Sequence, residues 1–157
     1  MSEIQIENSA KAIILDEGDV LLVRYQDTSD MGLGTWYALP GGCQHPGETI
    51  EEALVRECRE ELGARVRPGR LLFVREYIHA RHELAGTGRD QHKIEFMFAC
   101  ELDAPPVPGT LGDVDQTAFE WVPLDKLGLL NVFPRHLRDL ADLLKPGETP
   151  VYWGDQY

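Results

Sequence analysis

The chain has 157 residues, of which 43% are hydrophobic and 27% are charged. This length and composition predict a single domain over residues 1–157 with a buried core, and they exclude a disordered chain or a disulfide-rich miniprotein. Lys and Arg number 15 against 27 Asp and Glu, so the net charge of −12 excludes the basic groove of a nucleic-acid binder.

The first part of the chain predicts three strands. Two apolar, β-prone runs flank the turn-like segment Asp16-Glu17-Gly18-Asp19, which predicts a hairpin. A polar loop over residues 26–35 follows, and then a short strand that Pro40-Gly41-Gly42 is expected to end. The three predicted strands are Ala10–Leu15, Val20–Tyr25 and Trp36–Leu39.

A helix is predicted next, over Thr49–Leu62. Thr49 and Glu52 have the spacing of a capping box, and Gly63 stands where the helix would end. A polar connector around residues 86–88 and a Pro- and Gly-rich loop over residues 104–112 separate the strands that follow. Those predicted strands are Leu71–His79, Lys93–Leu102 and Phe119–Val122.

A second helix is predicted over Pro134–Leu144. Proline suits the first position of a helix, and apolar residues recur along one stripe of this segment. Strands mixed with two helices indicate an α/β or α+β fold in one domain. The stripe consists of Leu137, Leu140, Ala141 and Leu144.

Neither a membrane anchor nor a secretory signal is predicted. No window approaches the roughly 18 apolar residues of a membrane span, and the first ten residues include Glu3 and Glu7 without a cationic start. The cysteines are three in number, with no Cys-x-x-Cys pair, which indicates reduced thiols and a cytoplasmic protein. They are Cys43, Cys58 and Cys100.

Three glutamates are predicted to share one patch of the first helix. At about 100° per residue, Glu57, Glu60 and Glu61 converge beside an apolar stripe. Like charges this close repel one another, and a hard divalent cation such as Mg²⁺ offsets the repulsion. The alternative is a solvated acidic face with Arg56 and Arg59 as partners. The apolar stripe consists of Ile50, Leu54, Cys58 and Leu62.

The segment from Gly42 to Ala64 resembles the Nudix box, G-x5-E-x7-R-E-U-x-E-E-x-G-U, in which U is a bulky aliphatic residue. Every fixed position of that pattern is present at the right spacing. The two U positions hold the smaller residues Cys58 and Ala64, which affects packing rather than ligation. The fixed positions are Gly42, Glu48, Arg56, Glu57, Glu60, Glu61 and Gly63.

The resemblance implies an α/β/α sandwich with a mixed central sheet, and Mg²⁺- or Mn²⁺-dependent hydrolysis of a nucleoside diphosphate linked to another moiety. Carried onto this chain, Glu57, Glu60 and Glu61 would be the metal ligands, and the Gly42 carbonyl would add a further one. Arg56 would hold the box carboxylates in place through Glu48. These five charged side chains form the expected catalytic set.

The distribution of charge fits this interpretation. Residues 42–64 contain six acids and two bases, for a net charge of −4, whereas residues 65–100 contain four acids and seven bases, for a net charge of +3. A divalent cation bound by the acidic box inverts the local sign of charge. The acidic chain is therefore compatible with a small nucleotide substrate.

The sequence does not decide which residue is the general base or which nucleotide is the substrate. Glu57 is the first choice for the base within the box, and the candidates outside it are Asp113, Asp115, Glu95 and Glu120. For the substrate, a nucleotide sugar, a dinucleotide and a nucleoside triphosphate are all possible.

Candidate substrate-binding residues lie outside the box. Arg24, Arg75 and Arg81 are expected to meet phosphates, and Trp36 and Tyr77 to stack on a base, with core packing as the alternative for the aromatic residues. A non-catalytic nucleotide-sensing domain is the alternative function. A homodimer is the possible macromolecular partner.

Overall fold

The computed structural model describes residues 3–26, 34–82, 90–107 and 116–156, without the side chains of residues 116 and 117. In these residues the strands are β1 (Ile6–Asp16), β2 (Asp19–Gln26), β3 (Thr35–Ala38), β4 (Gly41–Cys43), β5 (Val66–Ile78), β6 (His92–Leu102), β7 (Gln116–Pro123), β8 (Val132–Phe133) and β9 (Tyr152–Asp155). The α-helices are α1 (Ile50–Leu62) and α2 (Leu140–Leu143), and three 3₁₀ segments cover His79–Arg81, Leu124–Leu129 and Arg135–Asp139.

The strands form one mixed sheet in the order β8-β3-β2-β1-β6-β5-β9, with β4 paired to β1 and β7 paired to β2. The pairs β1–β6, β3–β8 and β5–β9 are parallel. The pairs β1–β2, β1–β4, β2–β3, β2–β7 and β5–β6 are antiparallel. The predicted mixed sheet is therefore confirmed.

The sheet divides at β1. Strands β1 and β2 pair only beside their turn, at Leu15↔Val20 and Asp16↔Asp19. Farther from the turn β4 takes the place of β2, and its residues Gly41–Cys43 pair with Ser9–Lys11 of β1. The loop that precedes α1 is thus attached to the centre of the fold.

Two apolar cores lie on the two faces of the sheet, as alternation along the strands requires. One core places Leu54, Cys58 and Leu62 of α1 against Ala10 and Ala12 of β1. The other places the C-terminal helical segments against the opposite face, through Leu127, Leu137, Leu140 and Leu143 packed with Ile13 and Met97. This arrangement confirms the α/β/α layers.

Most predicted strands are present and extend beyond their predicted bounds. The segment Pro40-Gly41-Gly42, predicted only to end a strand, also contributes to a strand of its own. Gly41–Cys43 is itself β4, because its backbone groups find partners in β1. The ends of the predicted loop over residues 26–35 belong to β2 and β3. The middle of that loop, the connector at 83–89 and residues 108–115 lie outside the described residues.

The predicted second helix is wrong over most of its length. Arg135–Asp139 is a 3₁₀ segment, and the α-helix covers only Leu140–Leu143. With three residues per 3₁₀ turn, the buried stripe follows a spacing of three. It therefore contains Leu137, Leu140 and Leu143, and Ala141 is exposed. None of the helical segments in the described ranges combines the length and the apolar character of a membrane span.

Candidate active site

Helix α1 begins and ends as its sequence predicts. The Thr49 hydroxyl accepts a hydrogen bond from the Glu52 amide at 3.1 Å, and the Thr49 amide donates to the Glu52 carboxylate at 2.8 Å. Gly63 ends the helix with a left-handed φ of 63°. With Leu54 and Cys58 fully buried against the sheet, the helix presents Glu57 and Glu61 toward β4.

Arg56 connects the two ends of the box. Its Nε donates to Glu48 Oε2 at 3.1 Å and its Nη2 to Glu48 Oε1 at 2.8 Å, which is a forked ion pair. Nη2 also donates to the Cys43 carbonyl at 2.9 Å. Nη1 lies 3.0 Å from Glu57 Oε1 and 3.5 Å from Glu60 Oε1. The guanidinium thus ties the loop to the helix.

The pair between Arg56 and Glu48 changes the acidity of the carboxylate. Hydrogen bonds from Arg56 and from the His45 amide lower the pKa of Glu48 from 4.5 to about 2. The same pairing with Glu48 raises the pKa of Arg56. Both groups are therefore charged at any pH at which the protein would work.

The glycines of β4 let the loop approach α1 closely. A Cβ on Gly42 would lie 2.5 Å from the Glu57 carboxyl carbon, and a Cβ on Gly41 would lie 1.9 Å from the Ala10 carbonyl oxygen. Gly41 has a φ of +135°, which L side chains rarely adopt. Its amide donates to Glu61 Oε2 at 3.1 Å, and Glu61 is only 3% exposed.

The three box glutamates occupy different environments. Glu61 is buried against Gly41, the side chain of Glu57 is 18% exposed, and that of Glu60 is 50% exposed. Across the described ranges, no three carboxylate, imidazole or thiol groups stand close enough together to hold a metal ion. Glu57 and Glu60 instead turn toward Arg56, whose single positive charge is also shared with Glu48, so the cluster keeps a negative charge.

The donors nevertheless fit a hard cation. Carboxylate and backbone carbonyl oxygens are the ligands that Mg²⁺ prefers. Because Gly42 has no Cβ, the Glu57 carboxylate lies directly against the Gly42 backbone, so both kinds of oxygen donor stand side by side. Glu57, Glu60, Glu61 and the Gly42 carbonyl are therefore the residues that could hold it.

Two of the three arginines predicted to meet phosphates, Arg24 and Arg75, form ion pairs within the chain. Arg24 on β2 lies 2.9 Å from Glu120 on β7, and both side chains are partly exposed. Arg75 on β5 lies 2.8 Å from Glu95 on β6, and each of these two side chains is only 8% exposed. Arg81 is exposed in the 3₁₀ segment after β5.

The aromatic residues predicted to stack on a base stack on neighbours within the chain. Trp36 lies parallel to Tyr25, with ring centroids 4.1 Å apart. Tyr77 lies parallel to His82 at 5.2 Å, and its hydroxyl is 2.8 Å from His79 Nδ1. Two candidates for the general base, Asp113 and Asp115, lie outside the described residues.

Sequence reasoning missed Lys11 and the role of Gly41. Lys11 lies in β1, and its Nζ donates to the Gly41 carbonyl at 3.3 Å. The available signal was a single cation inside the apolar run from Ala10 to Leu15.

Comparison with known proteins gives the family. A family model described as NUDIX domain matches residues 6–144. The chain therefore belongs to the Nudix family, and its activity is that of a Nudix hydrolase, which cleaves pyrophosphate bonds.

Individual relatives agree with this assignment. A protein named nucleoside triphosphatase NudI, from Salmonella newport, is 34% identical over 136 residues, covering 84% of this chain and 94% of that protein. A MutT Nudix hydrolase from Burkholderia pseudomallei is 27% identical, with a TM-score of 0.61 over 77% of this chain and 85% of its own. A Nudix hydrolase from Nitrosomonas europaea, 19% identical, shares the fold with a TM-score of 0.73 over 94% of both chains.

Proposed function

We propose that this enzyme hydrolyses a nucleoside diphosphate linked to another moiety, in a divalent-metal-dependent reaction at Glu57, Glu60 and Glu61. The observation that carries this proposal is the contact between β4 and α1. There Glu57 fills the space beside Gly42 and Glu61 accepts from the Gly41 amide, while Arg56 ties Glu48 to Glu57.

Each residue has a distinct part in the proposed reaction. A bound Mg²⁺ would neutralise the diphosphate and activate water for in-line attack. Glu57, Glu60, Glu61 and the Gly42 carbonyl would hold it. Arg56 orients Glu57, because its guanidinium is itself fixed by Glu48 and by the Cys43 carbonyl. Glu57 is our first choice to accept the proton of the attacking water.

Charge complementarity at Arg24 supports an anionic substrate. Arg24 lies near the end of β2 and is partly exposed. A phosphate oxygen of the substrate could replace Glu120 as the partner of Arg24, and the charge of Arg24 would stay compensated. Glu120 is the second candidate for the general base, and Glu95 is less suitable because it is buried in its pair with Arg75. The similarity to a nucleoside triphosphatase makes nucleoside triphosphates the first substrates to test.

The test is the Glu61→Gln variant. The glutamine amide would retain an oxygen that accepts from Gly41 but would lose the charge, so we expect turnover to fall by several orders of magnitude while the fold is preserved. The matched control is Glu101→Gln, because the Glu101 side chain is 77% exposed on β6. Near-wild-type turnover in Glu61→Gln would contradict the metal-ligand assignment.

A substrate panel resolves the remaining alternatives. Nucleoside triphosphates, dinucleotides and nucleotide sugars would be incubated with wild-type enzyme and Mg²⁺, and release of a mononucleotide would be measured. Glu57→Gln and Glu120→Gln would then be compared on the best substrate, since loss of the general base removes from the pH–rate profile the limb that its pKa produces. Binding without turnover across the panel would instead indicate a nucleotide-sensing domain.

A further inference from the structure

Lys11 occupies an unusual position for a lysine. It lies in β1 between β4 and β6, and its neighbours Ala10 and Ala12 are fully buried against α1. Because side chains alternate along a strand, Lys11 leaves the sheet on the face opposite α1, the same face as Ile13. A cation at the centre of a sheet lowers the stability of the fold unless it is paired. The contacts of Lys11 therefore indicate its structural role.

Those contacts lead to the metal-site loop. Lys11 Nζ donates to the Gly41 carbonyl at 3.3 Å, and the Gly41 amide donates to Glu61 Oε2 at 3.1 Å. Lys11 and α1 therefore hold opposite ends of the same residue from opposite faces of the sheet. The Gly41 carbonyl belongs to the peptide unit that links Gly41 to Gly42, so its orientation also sets the direction of the Gly42 amide.

Neighbouring carboxylates keep Lys11 charged. Burial alone would lower the pKa of Lys11, but interactions with Glu95, then Tyr25 and Glu61, more than compensate, and the pKa is raised. Glu95 is in turn held by Arg75 at 2.8 Å. The ammonium is thus available as a donor to Gly41.

We propose that Lys11 is a positioning residue of the metal site, which holds Gly41 by its carbonyl and thereby keeps β4, with the Glu61 carboxylate that accepts from the Gly41 amide, in place. The proposal rests on the proposed function, since it assigns a support to the same site. Lys11 acts through Gly41 and is not assigned a contact with substrate.

The alternative is that Lys11 affects the metal site only through its positive charge, and the two possibilities predict opposite changes in metal affinity when Lys11 is removed. A cation that acts only by its charge opposes binding of a second cation at Glu61, so removing it would tighten metal binding. If Lys11 instead orients ligands, its removal weakens metal binding, because residues that orient metal ligands contribute about 10–100-fold to metal affinity.

The experiment measures Mn²⁺ binding without substrate, by the electron paramagnetic resonance signal of the free ion. Lys11→Met removes the donor with little change of shape, and Lys11→Arg retains a charged donor. Lys145→Met is the control, because Lys145 is exposed and paired only with Asp142 in the part of the chain that the structure describes. We expect the Mn²⁺ dissociation constant to rise about tenfold in Lys11→Met, to be largely restored in Lys11→Arg, and to be unchanged in Lys145→Met.

A second readout needs no metal. Hydrogen exchange of the Gly41 amide in the metal-free protein should become faster in Lys11→Met, since the carbonyl end of that residue is released. The KM for substrate at saturating metal should stay unchanged. If Lys11→Met does not fold, Lys11→Gln carries the same expectations, because its side chain is too short to reach Gly41.

Two results would overturn the proposal. One is equal or tighter Mn²⁺ binding in a folded Lys11→Met protein, and the other is a rise in KM with unchanged Mn²⁺ binding, which would make Lys11 a substrate ligand. Failure of the wild-type protein to bind Mn²⁺ would instead overturn the proposed function. The two failures are therefore distinguishable.

Discussion

The replacement of Gly42 by Ala tests the contact on which the proposed site depends. An added Cβ would lie 2.5 Å from the Glu57 carboxyl carbon and 2.7 Å from both of its oxygens. Ordinary carbon contacts begin about 1 Å farther out, at roughly 3.5 Å. The Glu57 carboxylate must therefore withdraw by about 1 Å, a displacement that can lower the rate of an enzyme about 100-fold.

The fold should tolerate the same substitution. Gly42 is not among the glycines with a positive φ, and the group it meets is the end of a side chain that can rotate. We expect the free energy of unfolding to change by about 1 kcal/mol or less, or roughly 2–4 °C in Tm. Steady-state kinetics over a range of Mg²⁺ concentrations, together with a thermal melt, would measure both effects.

Two other glycines serve as controls. Gly128→Ala should be silent, because no heavy atom lies within 4 Å of the added Cβ. Gly41→Ala should lose stability and activity together, since its Cβ would lie 1.9 Å from the Ala10 carbonyl oxygen at a φ of +135°. Wild-type kcat and Mg²⁺ dependence in Gly42→Ala would refute the reasoning.

Three further predictions concern charged pairs. Arg56→Lys retains a charge but not the forked geometry, so steady-state kinetics should show kcat reduced about 10–100-fold with the circular dichroism unchanged. Because the pKa of Glu48 is about 2 in the folded protein and ordinarily 4.5, urea unfolding should show wild type more stable than Glu48→Gln above about pH 4.5, with the difference lost as the pH falls toward 2. Arg75→Met leaves the buried Glu95 without its partner and should lower the free energy of unfolding by about 3–5 kcal/mol, which a second change, Glu95→Gln, should largely restore.

Each of these predictions can fail in a specific way. Full activity in Arg56→Lys would show that charge alone orients the box. A stability difference between wild type and Glu48→Gln that does not change with pH would contradict the pairing of Glu48. An unchanged free energy of unfolding in Arg75→Met would mean that the pair with Glu95 contributes nothing to the fold.

The local elements near the box could be predicted because their signals are local. The capping box of Thr49 and the helix end at Gly63 depend on residues within one turn, and both are confirmed. The second helix could not be predicted, because the spacing of Leu137, Leu140 and Leu143 fits a 3₁₀ segment as well as an α-helix. Packing against the sheet, which the sequence does not display, decides between them.

The candidate site was predictable in composition but not in arrangement. The spacing of Glu57, Glu60 and Glu61 predicts one patch, yet Glu61 is buried and Glu60 is half exposed. The difference arises from the pairing of β4 with β1, which brings Gly41 over one side of the helix. Long-range strand pairing of this kind leaves no periodic signal, and for the same reason the sequence does not indicate the contact of Lys11 with Gly41.

The parallel pairing of β1 with β6 has a consequence for the order of folding. It joins Ile6↔His92 through Ile14↔Cys100, and the whole box lies within the chain loop that this pairing closes. Closing a chain loop of that length costs conformational entropy and therefore slows folding. A capped helix depends only on local contacts and forms much faster. During refolding, helical signal should therefore return first, and hydrolytic activity should follow only when the two distant strands have met.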